Sequence, residues 1–440
     1  MHPFEAVREA CARYRAGGVS LPEVLHVAEQ ARHAGAAPDR GTVVIATLQG
    51  DVHHIGKALL GALLRTTGYQ VVDVGKEAPV EAVVRAAIDC RADAIGLSAL
   101  LVTSSRQIPL CVQALDEHGV HVPVLIGGAA MNRTFGRTAG LLPDGRTYTP
   151  GVFYCRDVFE GLQTLDDFFV GRARTFTEKD AVAAGTPMPG KPTRVRHVEP
   201  PQPPRLGPSR IRADLREVWR HLDLNTLFRH HWGGFPVRGP EYERLVHDQF
   251  EPELARLQAD ALTNGWLEAL MVGGYFRCRS DRDALVISDL RFEFPRQTDG
   301  EHLCLADYFS PQEDVLPLQA VSTGRRPARY LEQLEDTGQY VRMLYVNGLS
   351  AASAEAMADY AHAHARRELG LAADRGLRFS WGYAACPDLS QQHDLLALLD
   401  ADREIGLRLT ESETLDPEHS TAAMIVHHPD AKYFSAVRAA

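Results

Sequence analysis

The chain has 440 residues, 45% hydrophobic and 24% charged, with 47 lysines and arginines against 57 aspartates and glutamates for a net charge of -10. That is the composition of a soluble globular protein long enough for two or three domains with cores of their own. The acidic balance argues against nucleic acid and anionic membrane surfaces as partners, because phosphate binding needs concentrated positive charge.

No apolar stretch approaches the about 18 residues of a spanning helix. Met1 to Tyr14 carries charges among its apolar residues, unlike a signal peptide. Cys11, Cys90, Cys111, Cys155, Cys278, Cys304 and Cys386 are scattered, and none forms a C-x-x-C pair. Dispersed thiols suit a reducing cytoplasm, with neither a disulfide framework nor a cysteine-bound zinc.

Residues 1–40 read as two helices. Phe4, Val7, Cys11 and Tyr14 recur at helical spacing, Gly17-Gly18 breaks the pattern, and Leu21-Pro22 opens the second run of Leu25, Val27, Ala28 and Ala31. Residues 41–170 alternate between short apolar runs and helix-like stretches. The runs are Val43–Leu48, Val71–Val74, Ala94–Leu97, Val122–Ile126 and Val152–Cys155. The helix-like stretches are Ile55–Leu64, Val80–Ile88, Ser104–Leu115 and Val158–Phe168, while the connection from Gly128 to Gly151 is looser. Apolar runs without alternation, separated by helices, predict a doubly wound α/β domain whose parallel sheet is covered on both faces.

Residues 171–208, with Pro187-Met-Pro-Gly-Lys-Pro and Pro200-Pro-Gln-Pro-Pro, read as a semi-rigid linker that lets two domains move relative to each other. Residues 209–440 read as an α+β domain, with helices at Glu241–Ala261 and Ala351–Leu369 and strands at Ala269–Phe276, Ala284–Leu290 and Val315–Thr323.

The first run leads into Gln49-Gly50-Asp51-Val52-His53-His54-Ile55-Gly56, a D-x-H-x-x-G pattern at the carboxyl end of a strand, where open α/β sheets bind ligands. Neutral imidazole is a good cobalt ligand once its second nitrogen has a partner. Asp51 can accept that N–H, and Gly56 permits close approach of a bulky planar ring. After Gly56 come 41 residues and then Ser98-Ala99-Leu100, and after Leu100 come 26 residues and then Gly127-Gly128, each motif at a strand end. Taken alone, the short motif also fits Asp51 as a helix N-cap with His53 and His54 as polar residues of the first turn.

With all three motifs in place, residues 41–170 resemble the cobalamin-binding domain of methionine synthase and related corrinoid proteins. The resemblance implies a flavodoxin-like (Rossmann-like) fold and cobalamin bound base-off and His-on. His53 would be the cobalt ligand, the nucleotide tail would enter between the Ser98–Leu100 and Gly127–Gly128 strands, and His53, Asp51 and Ser104 would form a proton relay. His54 stands where the family often has an acid, and Val102, beside Thr103, where it has a hydroxyl. The N-terminal helices resemble the end of the family's four-helix cap, with Tyr14 and Leu21 where the family has apolar residues over the upper cobalt face. Only about half of that cap is present. As residues alone, Tyr14 and Leu21 also fit ordinary packing.

A second constellation is Arg378-Phe-Ser-Trp-Gly-Tyr-Ala-Ala-Cys-Pro-Asp388. Arg378 could bind an amino-acid carboxylate and Tyr383 could cover an adenine, although the segment also fits a structural loop. His427-His428 looks like a metal pair, but adjacent residues do not project to one point on regular structure, so both read as structural. Together with Leu222–Phe228, Leu303–Phe309, Leu409–Glu413 and His427–Phe434, the segment resembles the activation domain of cobalamin-dependent methionine synthase across nearly all of residues 210–435. That implies S-adenosylmethionine binding, with Asp223 and Glu355 on the cationic part, Arg378 on the carboxylate, Gly382 and Tyr383 giving backbone and ring contacts, and Tyr433 near the methyl path. Ala372 replaces a family glutamate, with Asp374 offset by two residues, and Ser380-Trp381 replaces the commoner Ala-Pro.

In the resembled enzyme, cob(I)alamin carries a methyl group from methyltetrahydrofolate to homocysteine. Oxidised cofactor is repaired with one electron, from flavodoxin or a similar small protein, and a methyl group from S-adenosylmethionine, returning methylcobalamin. The expectation is a cobalamin-dependent methyltransferase component in the cytoplasm. It would work with homocysteine- and methyltetrahydrofolate-binding modules or a subunit, since no clustered cysteines for zinc and no room for a (β/α)8 folate module are found. The alternatives are a cobalamin carrier or sensor without a transferase role, and a corrinoid protein serving another methyltransferase.

Overall fold

The structure, a computed structural model, describes residues 2–33, 37–53, 55–100, 102–129, 131–169, 195–196, 198–298, 300–372 and 375–436. Most of the expected linker, His54 and Asp374 lie outside these residues, as do the side chains of Val102 and Thr103. The chain packs into two compact units. One comprises Met1–Val182, Leu224–Gln258 and Arg329–Leu349, and the other Ala183–Asp223, Ala259–Ala328 and Ser350–Ala440. Packing therefore divides the chain differently from the linear boundaries at 40, 170 and 208, because two helical stretches of the C-terminal half join the first unit.

The first unit begins with α1 (Pro3–Arg15) and α2 (Leu21–His33), followed by β1 (Gly41–Thr47), α3 (Ile55–Arg65), β2 (Tyr69–Asp73), α4 (Val80–Asp89) and β3 (Ala94–Ser98). Then come α5 (Val102–Ser105), α6 (Gln107–Glu117), β4 (Val124–Gly127), α7 (Arg133–Ala139), β5 (Val152–Tyr154) and α8 (Val158–Phe169). The five strands are parallel in the order β2-β1-β3-β4-β5, the flavodoxin-like winding, with its switch point between β1 and β3.

Both faces of this sheet are covered, which is why its strands are unbroken apolar runs. Val44 and Ala46 face a core shared with Val83, Val84 and Ala87 of α4 and Ile108, Cys111, Val112 and Leu115 of α6. On the other face, a Cβ on Gly61 of α3 would lie 2.8 Å from Ile45 Cδ1, so that glycine lets the helix sit close to β1. The helix expected over Ser104–Leu115 is two helices, α5 and α6. The loose connection from Gly128 to Gly151 contains α7, whose N-cap Asn132 accepts from Phe135 N–H at 2.9 Å.

The later stretches of the first unit are helical and aromatic. Trp232 is fully buried, its ring centroid 4.7 Å from Tyr345, 5.3 Å from Phe228 and 5.5 Å from Phe250, and its Nε1–H donates to Tyr345 O at 3.2 Å. Aromatic pairs at such separations add about 1 kcal/mol each beyond the area they bury.

The second unit is built on an antiparallel sheet. Its strands are β6 (Gly207–Ile211), β7 (Leu270–Asp281), β8 (Ala284–Ile287), β9 (Leu290–Glu293), β10 (Asp314–Ser322) and β11 (Leu377–Ser380). A small hairpin of β12 (Arg408–Leu409) and β13 (Leu415–Asp416) precedes β14 (Ser420–Val426). The order is β11-β14-β10-β7-β8-β9, with β6 also on β7. Ala356, Met357, Ala361 and Ala365 of the helix Tyr340–Glu368 pack against Ile211, Met271, Val321, Tyr275, Val315 and Ile425. The strand expected at Ala284–Leu290 is a hairpin, turned at Ser288 with φ 52°. The helix expected from Ala351 starts at Tyr340, and β6, β11, β14 and the helix Arg326–Thr337 were not anticipated.

Candidate functional site

Three strand ends meet in register. Thr47 pairs with Ser98, and Ser98 with Gly127, so the ends of β1, β3 and β4 lie side by side. Beyond β1 the chain is held from both sides: Leu48 N–H donates to Ser98 O (3.1 Å) and Gln49 N–H to Ala78 O (3.0 Å). The loop that follows presents Asp51 and His53.

Asp51 is fully buried. Its Oδ1 accepts from His53 N–H at 2.9 Å and lies 2.9 Å from His53 Nδ1. Its Oδ2 accepts from Ser104 Oγ–H at 3.1 Å and from Leu100 N–H. Burial pushes the carboxyl pKa up, but the His53 side-chain hydrogen bond, the Leu100 N–H, the His53 charge and the His53 N–H outweigh it and hold Asp51 below its ordinary value. A buried carboxylate accepts, so Nδ1 is the donor, and whenever the imidazole is neutral its lone pair is on Nε2. The His53 side chain is 32% exposed and therefore reachable by a ligand.

The surroundings fit a large planar group. A Cβ on Gly56 would meet nothing within 4 Å, so space lies open there. At Gly128, with φ +141°, a Cβ would stand 1.9 Å from Ala99 O, and Ala99 N–H donates to Gly127 O at 3.1 Å. Only glycine lets the β3 and β4 ends approach this closely. Leu100 is 37% exposed at the same edge. The sequence pattern brought together His53, Asp51, Ser104, Ser98, Leu100, Gly56, Gly127 and Gly128. It missed the Leu100 N–H donor, and it missed Lys57, buried in the first turn of α3 with Nζ 2.5 Å from Asp73 Oδ1.

Tyr14 and Leu21 are placed in packing contacts. Tyr14 stacks on Phe159 of α8 with ring centroids 4.2 Å apart, and Leu21 is buried with its N–H on Gly233 O at 3.2 Å.

In the second unit, Arg378 on β11 lies between two carboxylates of the helix Tyr340–Glu368. Nη2 is 3.0 Å from Glu355 Oε2 and Nη1 is 3.2 Å from Asp359 Oδ1. Asp359 was not anticipated, although its i+4 spacing from Glu355 puts both on one helix face. After β11, Gly382 takes φ +89° and closes a turn, with Gly382 N–H on Cys386 O (2.9 Å) and Cys386 N–H on Tyr383 O (3.0 Å). Tyr383 is left 71% exposed, and Tyr433 is 68% exposed with its ring 5.1 Å from that of buried Phe379. The His221 ring lies 5.6 Å from Tyr360, so the segment ending at exposed Asp223 runs beside the same helix. Trp381 is buried against Phe292 and Ala372 is exposed.

The adjacent histidines diverge. His427 Nε2 is 2.7 Å from Asp314 Oδ1, both buried, whereas His428 Nε2 donates to Arg196 O at 2.9 Å and its Nδ1 accepts from Asp430 N–H at 3.0 Å.

Residues 41–140 match the family described as B12 binding domain, and residues 253–439 match the activation domain of vitamin B12 dependent methionine synthase. The chain therefore joins a cobalamin-binding domain to an activation domain. Over nearly its whole length it is similar to vitamin B12-dependent methionine synthases. It is 34% identical over 519 residues to "Methionine synthase" of Mycobacterium tuberculosis (strain ATCC 25618 / H37Rv), covering 99% of this chain and 43% of the relative. It is 32% identical over 514 residues to "Methionine synthase" of Mycobacterium leprae (strain TN), covering 96% of this chain and 42% of the relative. The chain thus spans less than half the length of these relatives. A solved MetH reactivation domain bound to AdoHcy has 24% identity and a TM-score of 0.48, over 57% of this chain and 90% of that one. Among the described residues, no helix is long and apolar enough to cross a membrane.

Proposed function

We propose that this chain holds cobalamin through His53 and restores its methyl group with S-adenosylmethionine, as the cobalamin-binding and reactivation part of a methionine synthase. Residues 1–40, 41–170, 171–208 and 209–440 serve as cap helices, cofactor domain, linker and activation domain. The observation that carries the reading is Asp51, buried and engaged at both oxygens, which aims one imidazole at the edge where β1, β3 and β4 end.

Bound cobalamin supplies a cobalt that accepts and releases a methyl group. The chain's residues position and hold. His53 would hold the cobalt, Asp51 keeps its tautomer, and Ser104 and the Leu100 N–H keep Asp51 in place. Ser98, Leu100, Gly127 and Gly128 line the entry for the nucleotide tail, and Gly56 leaves room for the ring. In the second unit, Arg378 takes the S-adenosylmethionine carboxylate, sharing its guanidinium with Glu355 and Asp359. Glu355 and Asp223 attract the cationic part, Gly382 and Tyr383 give backbone and ring contacts, and Tyr433 borders the methyl path. Homocysteine and methyltetrahydrofolate are handled by other modules or a partner subunit, and a small flavodoxin-like protein donates the electron. The setting is cytoplasmic, away from nucleic acid and membrane.

The test loads the protein with cobalamin and adds S-adenosylmethionine under a low-potential reductant. The absorption spectrum should convert to that of methylcobalamin, and methionine should form from homocysteine and methyltetrahydrofolate only when a second protein is supplied. A spectrum indifferent to S-adenosylmethionine would instead identify a cobalamin carrier or sensor.

A further inference from the structure

We infer that Gln319 is a positioning residue for the S-adenosylmethionine site: its buried amide fixes the turn Glu355–Asp359 of the helix Tyr340–Glu368 to the sheet, so that both carboxylates stay in place when a ligand draws on Arg378. The inference deepens the proposed function and rests on its placing of that ligand at Arg378.

Gln319 lies within β10, a strand buried along its whole length, and is only 2% exposed. An amide there is costly, because its polar atoms lose water on folding. Nε2–H donates to Ala358 O at 3.0 Å. Oε1 has no hydrogen-bond partner among the described residues. Turning the amide over would set Oε1 against the Ala358 carbonyl, acceptor to acceptor, so chemistry settles its orientation. The side chain also borders a cavity of about 10 Å3 shared with Gly273, Ala361 and Ala365, room for about one water. An apolar chain of the same length would fit here without an unpaired acceptor. What glutamine offers instead is one hydrogen bond to a helix.

That bond lands beside the site. Ala358 is within one turn of Glu355 and adjoins Asp359, the two carboxylates that lie 3.0 and 3.2 Å from the Arg378 guanidinium. Across the sheet, Ser380 pairs with Ala423 and Ala423 with Gln319, so the three form a row through β11, β14 and β10. Arg378 is two residues from Ser380 and is therefore on the same face as Gln319. The sheet thus carries both Gln319 and Arg378, and a single helical turn meets both.

The contacts around the amide are poorer anchors. Ala358, Ala361 and Ala365 pack against the sheet with short side chains, whose shallow ridges resist sliding weakly. Met357, the long apolar chain of this turn, is unbranched and adaptable. The Glu355 and Asp359 side chains are 64% and 54% exposed, and a ligand carboxylate at Arg378 competes with both. Gln319 is beneath the helix, where no ligand displaces it, so its hold on the turn is the same before and after binding.

Gln319→Met in the whole chain tests this. Methionine matches glutamine in length and removes the unpaired acceptor along with the donor, so the urea midpoint should stay at or above that of the wild type. Hydrogen–deuterium exchange over residues 355–362 without ligand should be about five-fold faster. Calorimetric titration should show S-adenosylmethionine bound about five-fold more weakly, each effect being the scale of one net hydrogen bond. In an Arg378→Ala background the same substitution should cost no further affinity, because the turn then has no guanidinium to be aligned with. Unchanged exchange, unchanged affinity, a fully additive loss in that background, or a loss that tracks a lower urea midpoint would overturn the inference. If the wild type itself does not bind S-adenosylmethionine, the proposed function falls and takes the ligand half of the inference with it, and the exchange measurement still decides whether Gln319 holds the turn.

Discussion

The two candidate sites are built on opposite plans. Around His53, the orienting group is buried in the sheet edge: Asp51 has no exposed surface and serves donors from three segments, His53, Leu100 and Ser104. Around Arg378, the orienting carboxylates and rings stand in solvent, with the Glu355 side chain 64% exposed, Tyr383 71% and Tyr433 68%. The first arrangement suits a cofactor that stays, because its geometry is set before the ligand arrives. The second suits a ligand that enters, reacts and leaves, because little must be desolvated for exchange. Substitutions in the first site should therefore cost stability as well as binding, and those in the second should cost binding alone.

The largest effect is expected at Asp51. Asp51→Ala strips the partner from buried Ser104, from the Leu100 N–H and from the imidazole, so it should destabilise the first unit by about 3 kcal/mol in urea unfolding. Unchanged stability would show that the buried network does not hold the edge. Next comes Gly128→Ala, whose Cβ has no room beside Ala99 O. A loss of about 2 kcal/mol with slowed cobalamin uptake is expected from stopped-flow absorbance.

Arg378→Ala should leave the urea midpoint in place while weakening S-adenosylmethionine binding by roughly 30-fold in calorimetric titration, the scale of one charge-assisted pair. A matching loss of stability would erase the contrast between the two sites.

The smallest effect is a pH dependence in the second unit. His428 is lowered below its ordinary pKa by burial and by the His427 and Arg196 charges, against the opposing Arg196 carbonyl and Asp430. His362 is lowered by burial and by Arg378 and Arg366, against the opposing Gly376 carbonyl and Asp359. Both are disfavoured as cations in the fold, so the unfolded chain binds more protons. Stability is full above about pH 6.5, the ordinary histidine value, and falls as the pH drops toward the folded-state values. Urea midpoints at pH 7.5 and 5.5 should show this loss, and His428→Gln should shrink it.

How far each region could be read in advance follows the same contrast. A sheet covered on both faces needs apolar runs, so all five parallel strands were legible, and the strand-end motifs at Asp51–Gly56, Ser98–Leu100 and Gly127–Gly128 fell where the winding brings strand ends together. What failed there was local: α7, with the sequence RTFGRTA, has almost no apolar periodicity, and Asn132 was its one signal. In the second unit, β14 mixes small residues with its apolar end in STAAMIV, and the Ser288 turn divides what reads as one run. The Arg378 segment acquired meaning only from resemblance, because its carboxylate partners stand on a separate helix, Glu355 being 23 residues away. The contacts that Glu29 makes by accepting from Val341 N–H and Arg32 by donating to Asp336 O were invisible for the same reason: nothing local marks a side chain that finishes another helix about 300 residues away.

The most direct measurement is the absorption spectrum of the cobalamin complex of the wild type beside that of His53→Ala. The wild type should show a histidine-ligated, base-off corrinoid, and the variant should bind cobalamin without that signature. The same spectrum from both proteins, or no uptake of cobalamin by the wild type, would contradict the assignment of His53 beneath the cobalt.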